Sequence, residues 1–189
     1  MQTLNLSRVS DEDRALADEI AARAHVNLHD CYQCGKCSAG CPMADEMDLT
    51  PQQIMHCLQL GLVDKALSAR GPWVCAQCAV CSTRCPQNID ITNIMLEVRR
   101  ESHAQGKRVV PESDVFETSF INGVRRGGIS NEQYLAVAYN LKSGHLLQDM
   151  GSAPAMLTKG IVGLAPHRVK DKAAVAKLVD KCLDKKDGE

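Results

Sequence analysis

Aromatic side chains are scarce in this 189-residue chain: one Trp, two Phe and three Tyr make up 3% of it. So few rings leave nothing for base stacking, and the basic residues are scattered rather than grouped, which excludes a nucleic-acid partner. Long apolar runs are also missing. Stretches such as residues 161–165 fall far short of the ~20 residues that a spanning helix needs, so no membrane anchor is expected. Nothing at the N-terminus reads as a signal peptide, which points to the cytoplasm and away from a disulfide framework. No Gly-x-Gly-x-x-Gly opens a βαβ unit, so no flavin or nicotinamide site is indicated. Charge of one sign is absent too, with 22 Lys and Arg against 23 Asp and Glu.

Cysteine is what the chain has in excess, ten in all, and eight of them fall into two near-identical runs. One is Cys31-x-x-Cys34-x-x-Cys37-x-x-x-Cys41-Pro42, the other Cys75-x-x-Cys78-x-x-Cys81-x-x-x-Cys85-Pro86. Bacterial-type ferredoxins use this spacing to hold two [4Fe–4S] cubanes, the fourth cysteine of each run ligating the other cluster. Three thiolates at i, i+3 and i+6 cap one face of a cube. The cysteine before proline is pushed extended, so its thiolate leaves its own loop. The expected ligand sets are Cys31, Cys34, Cys37 and Cys85 for cluster one, and Cys75, Cys78, Cys81 and Cys41 for cluster two. Zinc needs only four tetrahedral ligands, usually as two separated pairs, and has no use for a third cysteine at i+6. Two inorganic clusters would also fill a core that lacks large rings.

The repeat is wider than the cysteines. Seven of twelve positions agree between residues 31–42 and 75–86, including Gln33 with Gln77 and Ser38 with Ser82. Downstream, Asp48-Leu-Thr-Pro-Gln-Gln-Ile-Met55 echoes Asp90-Ile-Thr-Asn-Ile-Met95 with two residues missing. Both segments read as helix starts, with Asp or Thr as the capping oxygen and Pro51 in the first turn. Each half is then a cluster loop followed by a helix, related by a pseudo-twofold axis. Elsewhere helical spacing dominates and strand signals are minimal. Ser10 with Asp13 forms a capping box before Leu16, Ala17, Ile20, Ala21 and Ala24. Further helices are expected over 63–70 (stopping at Gly71-Pro72), 91–105, the Phe116–Val124 region before Gly127-Gly128, 132–147 and 172–183. The last carries a stripe at Val175, Leu178, Val179 and Cys182. Residues 151–166, punctuated by Gly and Pro, read as irregular and suited to lying along a partner.

An all-helical frame holding two such motifs resembles the α-helical ferredoxins, and within them the iron–sulfur C subunit of heterodisulfide reductase. The likeness is densest over residues 29–95 and looser through 150–166, where Met156-Leu-Thr-Lys-Gly-Ile and Ala165-Pro166 look like that family's C-terminal extension. The fold expected is all-α: an N-terminal helical segment (1–28), a dicluster α-helical ferredoxin domain (29–106), and a helical extension with a docking tail (107–189). The resemblance implies an electron-transfer subunit with no catalytic residues of its own. Its implied partners are a flavin-bearing iron–sulfur subunit, and a disulfide-reducing subunit that acts on the disulfide of coenzymes M and B. A hydrogenase or formate dehydrogenase is a further candidate associate. The disulfide-reducing subunit of that family carries adjacent cysteines, and no Cys-Cys dipeptide occurs here. The alternatives are the equivalent subunit of a bacterial heterodisulfide-reductase-like complex, or a free-standing dicluster ferredoxin. The iron–sulfur subunit of succinate or fumarate enzymes would need [2Fe–2S] cysteines before Cys31, and there are none.

Outside the two runs, Cys57 and Cys182 read as small core hydrophobes. Trp73 reads as core packing or as a shield for cluster two. Lys36, Arg84 and His29 lie near ligands in sequence, yet each suits a solvated surface better than a hydrogen bond to sulfur. Met47, Met55, Met95, Met150 and Met156 read as core or interface fillers.

Overall fold

The computed structural model describes residues 9–145, 151, 159 and 169–184. Among these the chain is all-α, with no strand. It divides into two compact units, at Val110 and Pro111.

The first unit opens with α1 (Asp11–Arg23). The Ser10 hydroxyl accepts the Asp13 N–H at 3.1 Å, and the Asp13 carboxylate accepts the Ser10 N–H at 3.0 Å, which is the capping box the sequence predicts. A 3₁₀ turn (Leu28–Asp30) leads into the first cysteine run, which contains the one-turn helix α2 (Lys36–Ala39). After a second 3₁₀ turn (Ala44–Glu46) comes α3 (Pro51–Gln59), with Pro51 at its first position and the Gln53 side chain accepting the Thr50 N–H at 2.9 Å. Then follow α4 (Val63–Leu67), α5 (Gly71–Val74), α6 (Val80–Thr83) in the second cysteine run, and α7 (Ile91–Ala104), which Asp90 caps through the Asn93 N–H.

One boundary differs from expectation. The helix placed over 63–70 ends at Leu67, and Gly71-Pro72 starts a new turn rather than stopping one. Asp48 explains it. Its carboxylate accepts the N–H groups of Arg70 and Gly71, both at 2.9 Å, and so satisfies donors that a first helical turn leaves unpaired. Proline fits such a turn because it brings no donor there.

The core of this unit is aliphatic: Ile20, Ile54, Met55, Leu58, Val63, Leu67, Ile94, Met95 and Val98 are all buried. Helix α1 packs on α4 and α7, and α3 on α4 and α7. Arg23 ties α1 to α7, reaching Glu97 at 3.2 Å and Glu101 at 2.8 Å, while Arg100 meets the other oxygen of buried Glu97 at 2.7 Å. A buried carboxylate flanked this way keeps its charge compensated.

The second unit contains α8 (Pro111–Gly127), α9 (Glu132–Ser143) and α10 (Lys172–Asp184), with α8 packed on both of the others. Phe116 meets Tyr139 edge-on at 6.1 Å. The stripe read along α10 is rotated in the structure: Val175 and Val179 are half-buried, whereas Leu178 and Cys182 are exposed. The Arg125–Asp180 ion pair at 2.7 Å turns the 175, 176, 179, 180 face toward α8. Cys182 is therefore no core residue. The expectations for Met150, Met156, residues 146–147, 161–165 and most of 151–166 lie outside the described residues. Among the described residues no helix is long and apolar enough to cross a membrane.

Candidate iron–sulfur centres

Each cysteine run folds as an extended loop into a single helical turn, and the two runs do so with matched backbone signs. Gln33 and Gln77, the shared glutamines, both have left-handed φ, 62° and 50°. Two residues on, Gly35 (φ 78°) and Ala79 (φ 59°) are left-handed again and form the N-caps of α2 and α6. Left-handed residues in such loops help turn backbone N–H groups inward, the concavity that many iron–sulfur sites use.

Burial follows the same order in both runs. The second cysteine is exposed (Cys34, Cys78), the third buried (Cys37, Cys81), and the first and fourth intermediate (Cys31, Cys41, Cys75, Cys85). Helices α2 and α6 contact one another, which brings the two loops face to face. Cys75, Cys78 and Cys81 line one cavity, and the cysteine that joins them there is Cys41 of the other run. The cavity is walled elsewhere by Pro42, Met47 and Val80 among others. In the opposite half, Tyr32 lies beside both Cys34 and Cys85; its phenol is pushed up by desolvation and by those two thiols. Cys37 sits within electrostatic reach of Cys31.

Burial pushes up the thiols of Cys37 and Cys75, while the Ser38 hydroxyl and N–H oppose the shift at Cys37 and the Gln77 N–H opposes it at Cys75. Those donors, with the Gln33 amide 3.5 Å from Cys31 Sγ, are the groups that favour thiolates, and the Thr92 hydroxyl lies 3.5 Å from Cys81 Sγ. Among the described residues no three His, Cys, Asp or Glu converge as they would on a single metal ion. Cysteines standing around an apolar cavity, with N–H donors aimed at sulfur, suit a cubane.

The shared serines do work that their sequence match alone did not disclose. Ser38 Oγ accepts the N–H of Gln52, the second residue of α3, and Ser82 Oγ accepts the N–H of Thr92, the second residue of α7, both at 3.0 Å. In each half the cysteine loop thus caps the helix that follows it. Other residues were missed outright. Gln59 donates to the carbonyls of Leu28 and Cys31, both at 2.7 Å, and accepts from Gln33. Lys36, Arg84 and His29 are exposed, as the solvated reading expects, though the Arg84 side chain lies over Gly40. Cys57 and Trp73 are buried.

Residues 30–90 match the family model of the 4Fe-4S dicluster domain. The chain is 29% identical over 102 residues to the C subunit of the H(2):CoB-CoM heterodisulfide,ferredoxin reductase of Methanothermobacter thermautotrophicus, covering 54% of this chain and 55% of that one. It is 26% identical over 159 residues to the C2 subunit of the H(2)/formate:CoB-CoM heterodisulfide,ferredoxin reductase of Methanococcus maripaludis, covering 84% and 71%. The C subunit of the ferredoxin:CoB-CoM heterodisulfide reductase of Methanosarcina mazei is 30% identical over 88 residues, covering 47% and 54%. Two of these three alignments span only about half of the relative's length. Residues 30–90 are thus a dicluster domain for two [4Fe–4S] clusters, in a chain homologous at about 30% identity to the C subunits of the heterodisulfide reductases.

Proposed function

We propose that this chain is the electron-relay subunit of a heterodisulfide-reductase-type complex. It passes electrons through two [4Fe–4S] clusters, from a flavin-bearing iron–sulfur subunit to the subunit that reduces the CoB–CoM disulfide. One cluster is held by Cys31, Cys34, Cys37 and Cys85, the other by Cys75, Cys78, Cys81 and Cys41. The observation that carries the ligand reading is the shared cavity of Cys41 with Cys75, Cys78 and Cys81. The relatives' names carry the choice of complex.

When bound, a [4Fe–4S] cluster with all four irons held by cysteine would supply one-electron transfer. The chain's own residues do the rest. The buried third cysteines, Cys37 and Cys81, anchor the inner edge of each site. The exposed Cys34 and Cys78 mark the edges that a redox partner can approach. The Gln77 and Ser38 N–H groups and the Gln33 amide offset sulfur charge, and apolar walls keep water from it.

The test is reconstitution of activity. The anaerobically prepared chain, with both clusters reduced, is expected to leave heterodisulfide untouched. Turnover is expected when the flavin-bearing and disulfide-reducing subunits of such a complex are added. Disulfide reduction by the isolated chain, or no gain of turnover on adding it to those two subunits, would overturn the relay.

A further inference from the structure

The two halves of the first unit match at several positions along their helices, and they differ in what they offer the first cysteine of each run. Counting from Pro51 in α3 and Ile91 in α7, the second residues (Gln52, Thr92) take the serine caps. The fourth, fifth and eighth (Ile54 and Ile94, Met55 and Met95, Leu58 and Val98) are all buried. The ninth residues are Gln59 and Arg99, both half-buried. Gln59 uses its amide on the carbonyl of Cys31, the first cysteine of its run. The guanidinium of Arg99 stacks 5.3 Å from the ring centre of Trp73 and lies within electrostatic reach of Cys75, the first cysteine of the other run. Trp73 is itself fixed: it is buried and donates its indole N–H to Ser102 at 3.4 Å. One half therefore offers its first cysteine a neutral amide, and the other a cation.

We propose that Arg99, held on the face of Trp73, raises the reduction potential of the cluster bound at Cys75 above that of the cluster bound at Cys31. The inference rests on the ligand sets given above. Reduction adds one negative charge to a cluster, and a fixed neighbouring cation stabilises that added charge. Lys36 and Arg84 do not compete, because both are exposed and solvent screens them. Arg84 also lies over Gly40, beside Cys41 and next to Cys85 in sequence, where it touches the surroundings of both ligand sets alike. A guanidinium stays protonated throughout the neutral range, so the bias is permanent. Trp73 is a positioning residue, Arg99 the charge it positions.

Redox titration of the full-length holoprotein, followed by electron paramagnetic resonance, tests this. Cys78→Ser and Cys34→Ser identify which signal belongs to which half. In the wild type the Cys75 cluster is expected to reduce first. Arg99→Gln, which copies Gln59, is expected to shift its oxidised-to-reduced ratio at fixed potential by on the order of tenfold, about 59 mV for one electron, and to leave the other cluster unmoved. Arg99→Lys is expected to keep most of the wild-type potential. Equal wild-type potentials, or the reverse order, would overturn the proposal whatever the variants do. So would Arg99→Gln with full iron content and no shift, or a fall of both clusters matched by the surface control Arg14→Gln. Should Cys78→Ser and Cys34→Ser perturb the same signal, the ligand sets fail instead, and the two failures are thereby distinguished.

Discussion

An added Cβ at Gly71 would collide with the carbonyl oxygen of Leu49, a backbone atom that cannot swing aside. The position sits two residues before Trp73 and four before Cys75, with its own N–H held by Asp48. Gly71→Ala is therefore expected to cost about 2 kcal/mol, in the range of overpacked substitutions, and to disturb the Cys75 loop. A lowered thermal midpoint together with altered absorbance of the bound clusters is the expected result; an unchanged midpoint would mean the close approach is not needed. Gly35 is glycine for a different reason. It has open space around it but a φ of 78°, and Ala79 at φ 59° shows that the matching place in the other run tolerates a methyl group. At this scale the sequence is a partial guide. The cysteines, the shared serines and the shared glutamines stand out by repetition, whereas Gln59 and Arg99 differ from each other and so leave no repeated trace. Their roles appear only once their helices are aligned by position rather than by identity.

Among the elements, the loops and helices of the two halves are joined by short polar links rather than by apolar contact alone. Asp48 makes one of these, joining the segment before α3 to the first turn of α5. Burial raises its carboxyl, but the N–H groups of Arg70, Gly71 and Leu49 together hold it below the usual carboxylate range. A carboxyl depressed in the folded state contributes stability above its unfolded pKa, about 3.9, and loses it as pH falls through the folded value. Asp48→Ala is thus expected to lower stability by about 1 kcal/mol, as loss of a helix cap does, and by a constant amount between pH 8 and pH 5. Thermal midpoints of the two holoproteins across that window check it; a difference that shrank between pH 8 and pH 5 would contradict the assignment. Most elements were legible in the sequence because capping residues announce them: Ser10 with Asp13, Pro51, and Asp90. The break at Leu67 was not, since it depends on Asp48, which lies 22 residues from the N–H it accepts. The rotation of α10 was hidden for a similar reason. Its apolar stripe suggested one face, and the ion pair of Asp180 with Arg125 selects another.

For the molecule as a whole, the repeat is the organising fact. Two loops of matched backbone sign, each capping the helix after it, face one another across α2 and α6. Spacing alone made the number and kind of clusters readable, because few other uses of cysteine need i, i+3 and i+6 followed by Cys-Pro. The second unit was much less readable. Its helices were expected, but its cysteine is exposed and its described core holds few apolar residues. The central claim is that each run gives its fourth cysteine to the other run's cluster, and Cys41→Ala tests it most directly. Electron paramagnetic resonance and iron analysis of the anaerobic variant are compared with those of Cys78→Ala and Cys34→Ala. The account predicts that Cys41→Ala damages the same cluster as Cys78→Ala and spares the one lost in Cys34→Ala. If it instead reproduces Cys34→Ala, each run closes its own cube and the cross-ligated account is wrong.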